Sequence, residues 1–451
     1  MRTLIVVGGD AAGMSAASAA KRALGDEIEV IVFERGHWTS YSACGIPYWV
    51  AGQVAGPDAL VSRSPEEHRK RGIDVRTLTE VVALDTAAQT VRARGRDGAA
   101  YTTQYDDVLL ATGAEPIRPD LPGIDAEGIY GVQDLEDGTR VIDALADGPA
   151  RAVIVGSGYI GLEMAEACVQ REIKATVIDQ ASQPMPLLDA DLGKRVHEAM
   201  NGLGIETMMD TPVRGFVADD SGHVAGVTTD TETVPADVVI LGIGVKARST
   251  LAADAGLPTG VKDGIVVDAD QRVAGHSNVW AAGDCALSRH RLTGELVHIP
   301  LGTHANKQGR IAGRNIAGAD LEFAGVLGTA ITKICALEIA LTGLSAHAAE
   351  QAGRDALRVS IETTTTAGYY PTAERMTVVM VAERGSRRIL GTQIVGGDGA
   401  AKRIDTVATA IWNDMTVDDL IECDLAYAPP FSSVWDPVQQ AARVAATKLS
   451  G

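Results

Sequence analysis

The thiol of Cys44, in the stretch Ser40-Tyr41-Ser42-Ala43-Cys44-Gly45-Ile46-Pro47-Tyr48, is the side chain best placed to do chemistry. No second cysteine stands at CxxC or CxxxxC spacing from it. A local disulfide is therefore excluded, and the five widely spaced cysteines make neither a zinc pattern nor a disulfide framework. A lone redox sulfur needs a partner in its oxidised form, either a mixed disulfide with a small thiol or a sulfenic acid. Free cysteines are more often buried and inert, and Cys168, Cys285, Cys335 and Cys423 read that way. Cys44 differs because it lies between two glycine-rich turns.

Both turns have the context of a dinucleotide site: strand, Gly-rich turn, helix, second strand, acid. In the first, residues 2–7 read as a buried parallel strand, followed by Gly8-Gly9-Asp10-Ala11-Ala12-Gly13. An Ala-rich helix over about 14–24 and a strand over 29–33 lead to Glu34. Gly8 permits the tight turn, and Gly13 lets helix and strand pack closely. Free N–H groups at the helix start receive a pyrophosphate, and Glu34 accepts from a ribose hydroxyl. Asp10 stands where the second fingerprint glycine is expected. Its carboxylate would repel a pyrophosphate, so it is expected to point away or to accept a nearby N–H.

The second turn, Gly156-Ser157-Gly158-Tyr159-Ile160-Gly161, is a complete GxGxxG between a strand at 152–155 and a helix at 162–171. The next strand, 175–178, ends at Asp179. An acid there suits a free 2′-hydroxyl, and Gln180 follows with no nearby arginine for a 2′-phosphate. The pattern predicts NADH in preference to NADPH.

Other segments complete these two units. Residues 75–84, 90–93 and 108–111 read as strands, and the last runs into Ala111-Thr112-Gly113-Ala114. Pro116, Pro119 and Pro122 mark a linker. Residues 205–244 read as strands and turns, and 279–286 deliver Gly283-Asp284 to a helix start. The charge cluster at 66–71 reads as a solvated helix face, with an anion contact through Arg69, Lys70 or Arg71 as the sharper alternative. Residues 326–451 carry no nucleotide turn. Strands are expected there at 358–363, 376–382 and 389–395, with helices at 400–413 and 434–449. The chain is thus expected to be α/β, with two Rossmann-like domains and a C-terminal α+β dimerisation domain. The boundaries are 1–115 with 245–325, 116–244, and 326–451.

At 451 residues, 46% hydrophobic and 22% charged, the chain is globular and long enough for two or three domains. A net charge of −19 argues against nucleic-acid and anionic-membrane partners, while leaving room for a local basic pocket. The N-terminal apolar run is too short for a signal peptide, and no run reaches the roughly 18 residues of a membrane span. A cytoplasmic protein is expected. His37, His298 and His304 show no ligand spacing, and no metal site is expected.

Two nucleotide turns, an ATG turn, a GD motif and a C-terminal αβ domain together resemble the flavin-dependent pyridine nucleotide–disulfide oxidoreductases, over essentially the whole chain. The single cysteine in SYSACGIPYWVAG is similar to the coenzyme A-disulfide reductase, NADH oxidase and NADH peroxidase branch. The resemblance implies that FAD is bound by Gly8, Gly9, Ala12, Gly13, Glu34, Arg35, Ser42, Thr112, Gly113, Gly283 and Asp284. It implies that NAD(P)H is bound by Gly156, Gly158, Tyr159, Ile160, Gly161 and Asp179. Cys44 would be the redox sulfur, carrying electrons from nicotinamide through flavin to a small disulfide. A homodimer would form through the third domain, with Tyr369 and Tyr427 protonating a leaving thiolate in the partner's active site. Tyr370 is equally suited by chemistry alone.

Two departures divide the substrate readings. Ala11 replaces the histidine typical of peroxidases and water-forming oxidases, which counts against an efficient peroxidase. Ala43 replaces the asparagine often found before the cysteine of coenzyme A-disulfide reductases, which weakens coenzyme A disulfide as the substrate. An NAD(P)H oxidase and a non-catalytic flavoprotein redox sensor stand as alternatives. The Cys44 thiolate is expected to be stabilised by the helix start after Gly45 or by flavin contact. No rhodanese-like segment follows residue 451, so no fused persulfide-handling domain is expected.

Overall fold

The computed structural model describes residues 1–146 and 148–450. Its first layer is a five-stranded parallel sheet in the order Val279–Ala281, Asp107–Leu110, Arg2–Val7, Ile28–Phe33, Asp74–Arg76. Leu4 to Val7 are all buried, as a strand covered on both faces requires. The helices Ala11–Leu24 and Gly302–Ile316 cross very closely. A Cβ on Gly309 would lie 2.1 Å from the Ala12 carbonyl oxygen, and one on Gly313 would lie 2.2 Å from that of Ala16. Those two glycines, against an alanine face, set the separation of the helices.

The second layer repeats the pattern, in the order Glu206–Met208, Lys174–Ile178, Arg151–Val155, Val238–Leu241, Ile129–Gly131. Arg151↔Lys174 and Val155↔Ile178 fix its register. The chain leaves the first layer through Ala114–Pro116 and returns through Val245–Ala247. These two segments pair antiparallel, with Glu115 opposite Lys246.

The C-terminal sheet is antiparallel, in the order Ala330–Ile334, Leu337–Gly343, Ile389–Gly396, Arg375–Glu383, Ala356–Thr364. Helices Ile404–Trp412 and Pro437–Ser450 pack on it. The architecture is the α/β one expected from the sequence, with two dinucleotide-type layers and a mixed C-terminal unit.

Details differ from the sequence reading. The single strand expected over 75–84 is two, Asp74–Arg76 in the parallel sheet and Thr79–Asp85 in a separate three-stranded one. Leu78, at φ 54°, turns the chain between them. The helices Leu135–Ala146 and Ala190–Gly202 and the hairpin Ala330–Gly343 were not anticipated. Among the described residues, no helix is long and apolar enough to cross a membrane.

Candidate active site

Both glycine-rich turns open on one cleft of about 2640 Å³. That is well above the roughly 300–1,000 Å³ of an ordinary small-molecule pocket, as two extended ligands require. Gly8 sits at φ 110°, and a Cβ there would lie 2.1 Å from the Ala111 oxygen. A Cβ on Gly13 would lie 1.9 Å from the Gly8 oxygen, so Gly13 packs behind the turn and does not line the cleft. Gly8, Gly9 and Ala12 do line it. The Glu34 carboxylate accepts the Gly9 N–H at 2.7 Å and the Gly36 N–H at 2.6 Å, and burial raises its pKa. Those two donors fix the carboxylate toward the cleft, beside Arg35.

Asp10 occupies the N-cap position of the Ala11–Leu24 helix, yet its side chain makes no cap hydrogen bond. Its Oδ1 instead accepts the Tyr41 N–H at 2.9 Å, as the sequence expectation required. The helix start is left open to an anion. Across the cleft, Thr112 Oγ1 donates to the Arg248 carbonyl at 2.5 Å. Gly113, at φ 73°, has open space where a Cβ would stand. Gly283, at φ 82°, abuts Ala12, and burial pushes the neighbouring Asp284 carboxyl up to about 6.

The second turn has the same construction. Gly156 sits at φ 101°, a Cβ on Gly161 would lie 2.0 Å from the Gly156 oxygen, and a Cβ on Gly158 would meet nothing within 4 Å. Gly161 therefore packs behind, while Gly156, Gly158, Tyr159 and Ile160 face the cleft. Asp179 Oδ2 accepts Ser157 N–H at 2.7 Å and Ser157 Oγ–H at 2.6 Å, and its Oδ1 accepts Ala181 N–H at 2.9 Å. The Tyr159 hydroxyl is buried with no hydrogen-bond partner among the described residues, although it lines the cleft.

Cys44 is the one cysteine among the described residues that lines this cleft, and it is exposed to it. It sits in the turn Ala43–Gly45, directly before the short helix Ile46–Val50. Ser42, Ala43 and Tyr48 flank it along the wall. The helix start after Gly45 does not by itself lower the Cys44 thiol. Burial, and then the negative charges of Glu163 and Asp284, push the Cys44 thiol up from its ordinary value. A five-residue helix offers too small a dipole to offset two carboxylates. Glu163 accepts from Thr332 Oγ1 at 2.9 Å, and burial carries its own carboxyl up to about 7.

Two glycine turns, two oriented acids and a lone sulfur on one cleft are the parts of a flavin- and nicotinamide-dependent redox enzyme. Comparison with known proteins decides the family. Residues 2–309 match the model of the pyridine nucleotide-disulphide oxidoreductases, and residues 329–438 match the dimerisation domain of the same proteins. The chain belongs to the pyridine nucleotide-disulphide oxidoreductases.

It is 34% identical over 449 residues to an NADH oxidase of Methanocaldococcus jannaschii, covering 99% of both chains. It is 37% identical over 447 residues to a CoA-dependent NAD(P)H sulfur oxidoreductase of Pyrococcus furiosus, covering 98% of this chain and 99% of the other. Among solved structures, reduced Bacillus anthracis CoADR-RHD superposes with a TM-score of 0.95 at 34% identity, over 100% of this chain and 81% of that one. As a member of this family the protein is a FAD-dependent NAD(P)H oxidoreductase. The cleft fits both cofactors. A Cβ would collide with facing backbone at Gly8 and at Gly156, open space lies at Gly113 and Gly158, and Tyr159 keeps a hydroxyl unpartnered among the described residues.

Not every residue singled out in this oxidoreductase's sequence meets at the cleft. Tyr369 and Tyr427 are exposed, lie beside each other, and do not line the cleft of their own chain. Arg69 is held by the Val75 carbonyl and by Glu66, as the solvated-face reading of the charge cluster had it. His68 of the same cluster is fully buried, and its Nε2 lies 3.0 Å from Ser40 Oγ.

Two features escaped the sequence reading. Glu163 sits two residues beyond the second turn, on its helix, and only the fold turns it toward Cys44. A second, smaller cavity of about 400 Å³ is lined by Ala19, Arg22, Ala23, Arg310 and Arg314. The i, i+4 spacing of Arg310 and Arg314 was legible. Their meeting with Arg22, about 290 residues away in sequence, was not.

Proposed function

We propose that this oxidoreductase uses NADH to reduce a coenzyme A-type disulfide at Cys44. The observation that carries this reading is the solitary exposed sulfur on the cleft shared by both nucleotide turns. The separate arginine cavity supports the choice of thiol. Ser15 Oγ donates to Asn306 Oδ1 at 2.9 Å, and Asn306 lines the cleft. From Asn306, positions 310 and 314 continue along the same helix face for about 12 Å and end in the arginine cavity. Coenzyme A has this shape, a thiol at one end of a flexible arm and phosphates at the other. Arginine is the side chain suited to phosphate.

Cys44 as thiolate attacks one sulfur of the disulfide, forming a mixed disulfide and releasing one thiolate. Bound FAD and NAD(P)H supply the two electrons that return the mixed disulfide to the Cys44 thiolate and a second free thiolate. Glu163, which holds a proton near neutrality, adds least negative charge to Cys44 when protonated. Tyr369 and Tyr427, exposed side by side, are suited to protonate the released thiolates across a homodimer interface. The oriented Asp179 supports NADH over NADPH. Residues 1–115 with 245–325 are assigned to the flavin unit, 116–244 to the nicotinamide unit and 326–451 to the interface. The pairing of Ala114–Pro116 with Val245–Ala247 supports the first two boundaries. A cytoplasmic location accords with the reducing environment that a lone reactive thiol requires.

Mass spectrometry of the intact, non-reduced protein tests the reading, with a coenzyme A adduct on Cys44 as the expected result. Under anaerobic conditions NADH should be consumed with coenzyme A disulfide, and Cys44→Ser should abolish that turnover while retaining FAD. Turnover only with O₂, and a Cys44 without an adduct, would establish the oxidase reading instead.

A further inference from the structure

We infer that Asp10 is a positioning residue that ties the flavin-binding turn to the loop carrying Cys44. The inference rests on the reading of Cys44 as the redox sulfur. Its basis is the use made of Asp10, the one departure from the first fingerprint. An aspartate at an N-cap ordinarily accepts the N–H of the second or third residue of its own helix. Asp10 makes no such bond, and its carboxylate reaches out to Tyr41 N–H at 2.9 Å. The adjacent Gly9 carbonyl accepts the Ser40 N–H at 3.2 Å. Two consecutive residues of the turn therefore hold two consecutive amides of the loop, three and four residues before Cys44.

Ser40 makes this geometry possible and is strained by it. Its φ of 49° lies in the left-handed region, which costs a non-glycine residue on the order of 1 kcal/mol or more. It is held there on every side. Its carbonyl accepts Ser62 N–H at 2.8 Å, and its hydroxyl lies 3.0 Å from Nε2 of the fully buried His68. The loop is then pinned from Ser42, whose N–H donates to the Leu60 carbonyl at 2.9 Å. Among these contacts, only Asp10 and Gly9 connect the loop to the phosphate-binding turn. A ligand that fixes that turn also fixes the amides from which Cys44 is suspended. Glycine at position 10 would bind a pyrophosphate with less repulsion but would leave Tyr41 N–H without its acceptor.

The test compares Asp10→Ala with Asp10→Asn, whose amide oxygen can still accept the Tyr41 N–H. Hydrogen exchange of the 40–45 segment is measured with and without FAD. The ratio of NADH-dependent disulfide turnover to NADH-dependent ferricyanide turnover is measured alongside. FAD should slow exchange in this segment in the wild type and in Asp10→Asn, but not in Asp10→Ala. The activity ratio should fall about tenfold to a hundredfold in Asp10→Ala, the size of one lost hydrogen bond to a charged group, and recover in Asp10→Asn. Asp10→Gly, the residue the fingerprint leads one to expect, substitutes for an alanine variant that fails to fold. FAD-dependent protection that persists in Asp10→Ala or Asp10→Gly, or an Asp10→Asn as impaired as they are, would overturn the inference. Disulfide turnover retained in Cys44→Ser would instead strike the reading of Cys44 beneath it.

Discussion

Replacing Asp179 by alanine should turn this oxidoreductase from NADH toward NADPH, and the structure gives the size of the change. The carboxylate takes three donors, Ser157 N–H, Ser157 Oγ–H and Ala181 N–H, at 2.6–2.9 Å. It is thereby aimed, with one acceptor site on Oδ1 left for a ribose hydroxyl. Losing a charge-assisted bond to that hydroxyl costs about 1.5–3 kcal/mol. That is about tenfold to a hundredfold in kcat/KM for NADH. A 2′-phosphate about 4 Å from the carboxylate is repelled by about 1 kcal/mol per charge even at the dielectric of water, and alanine removes that term. The three freed donors then face the phosphate. The ratio of kcat/KM for NADH to that for NADPH should fall by about two orders of magnitude. Ser157 is fully buried. Its orphaned donors should also lower the melting temperature of the cofactor-free variant, and NADPH should restore it. Initial rates with both nucleotides at fixed disulfide, and thermal melts with and without each, measure this. A ratio that moves less than about threefold, a fraction of one hydrogen bond, would refute the role given to Asp179.

Glu163→Gln should stabilise the protein at pH 8 but not at pH 4. The Glu163 carboxyl ionises at about 7 in the folded chain against an ordinary 4.5, so its contribution is full below 4.5 and is lost as pH rises through 7. The gain, read from denaturant melts at each pH, is at most about 3 kcal/mol, and less for a side chain that is only partly enclosed. The same substitution should lower the pH at which Cys44 is alkylated, since Glu163 is the largest nearby charge opposing its thiolate. Arg310→Ala with Arg314→Ala should raise KM for coenzyme A disulfide about tenfold or more. KM for pantethine disulfide, which lacks the phosphates, should not move, and the difference should shrink at high salt. Gly161→Ala should abolish nicotinamide binding, because its Cβ would lie 2.0 Å from the Gly156 oxygen. FAD content, on the proposed assignment of FAD to the first turn, should stay near wild type in the purified variant.

The two nucleotide units were legible because their signals are local. Gly8 and Gly156 are needed for their φ, and Gly13 and Gly161 for close approach within the same βαβ unit. Glu34 and Asp179 follow at a distance set by one helix and one strand. The strand expected over 75–84 failed because its break rests on Leu78, a residue with no preference for φ 54°. The arginine cavity went unread for a different reason. It forms only where Gly309 and Gly313 let two helices far apart in sequence meet, and no single-helix pattern carries that. Glu163 reads as an ordinary helix residue until Thr332, from the C-terminal sheet, closes over it.

The helix start after Gly45 does not lower the Cys44 thiol, for a reason that bears on the whole cleft. A site for two polyanionic cofactors, in a chain of net charge −19, would be expected to hold few carboxylates beyond the two that meet ribose hydroxyls. Yet Asp10, Glu34, Asp284 and Glu163 all line it. Burial reconciles the two facts. It pushes Asp10 and Asp284 up to about 6, Glu163 to about 7, and Glu34 upward as well. Each cofactor phosphate adds further negative charge and raises them again. With FAD and nucleotide in place Glu163 and Asp284 can therefore hold protons near neutrality. While ionised, Glu163, Asp284 and Asp10 hold the Cys44 thiol high. Binding of the cofactors should accordingly take up protons from solution. Titration calorimetry of FAD binding in buffers of differing ionisation enthalpy reads that number directly, and it should decrease in Asp284→Asn.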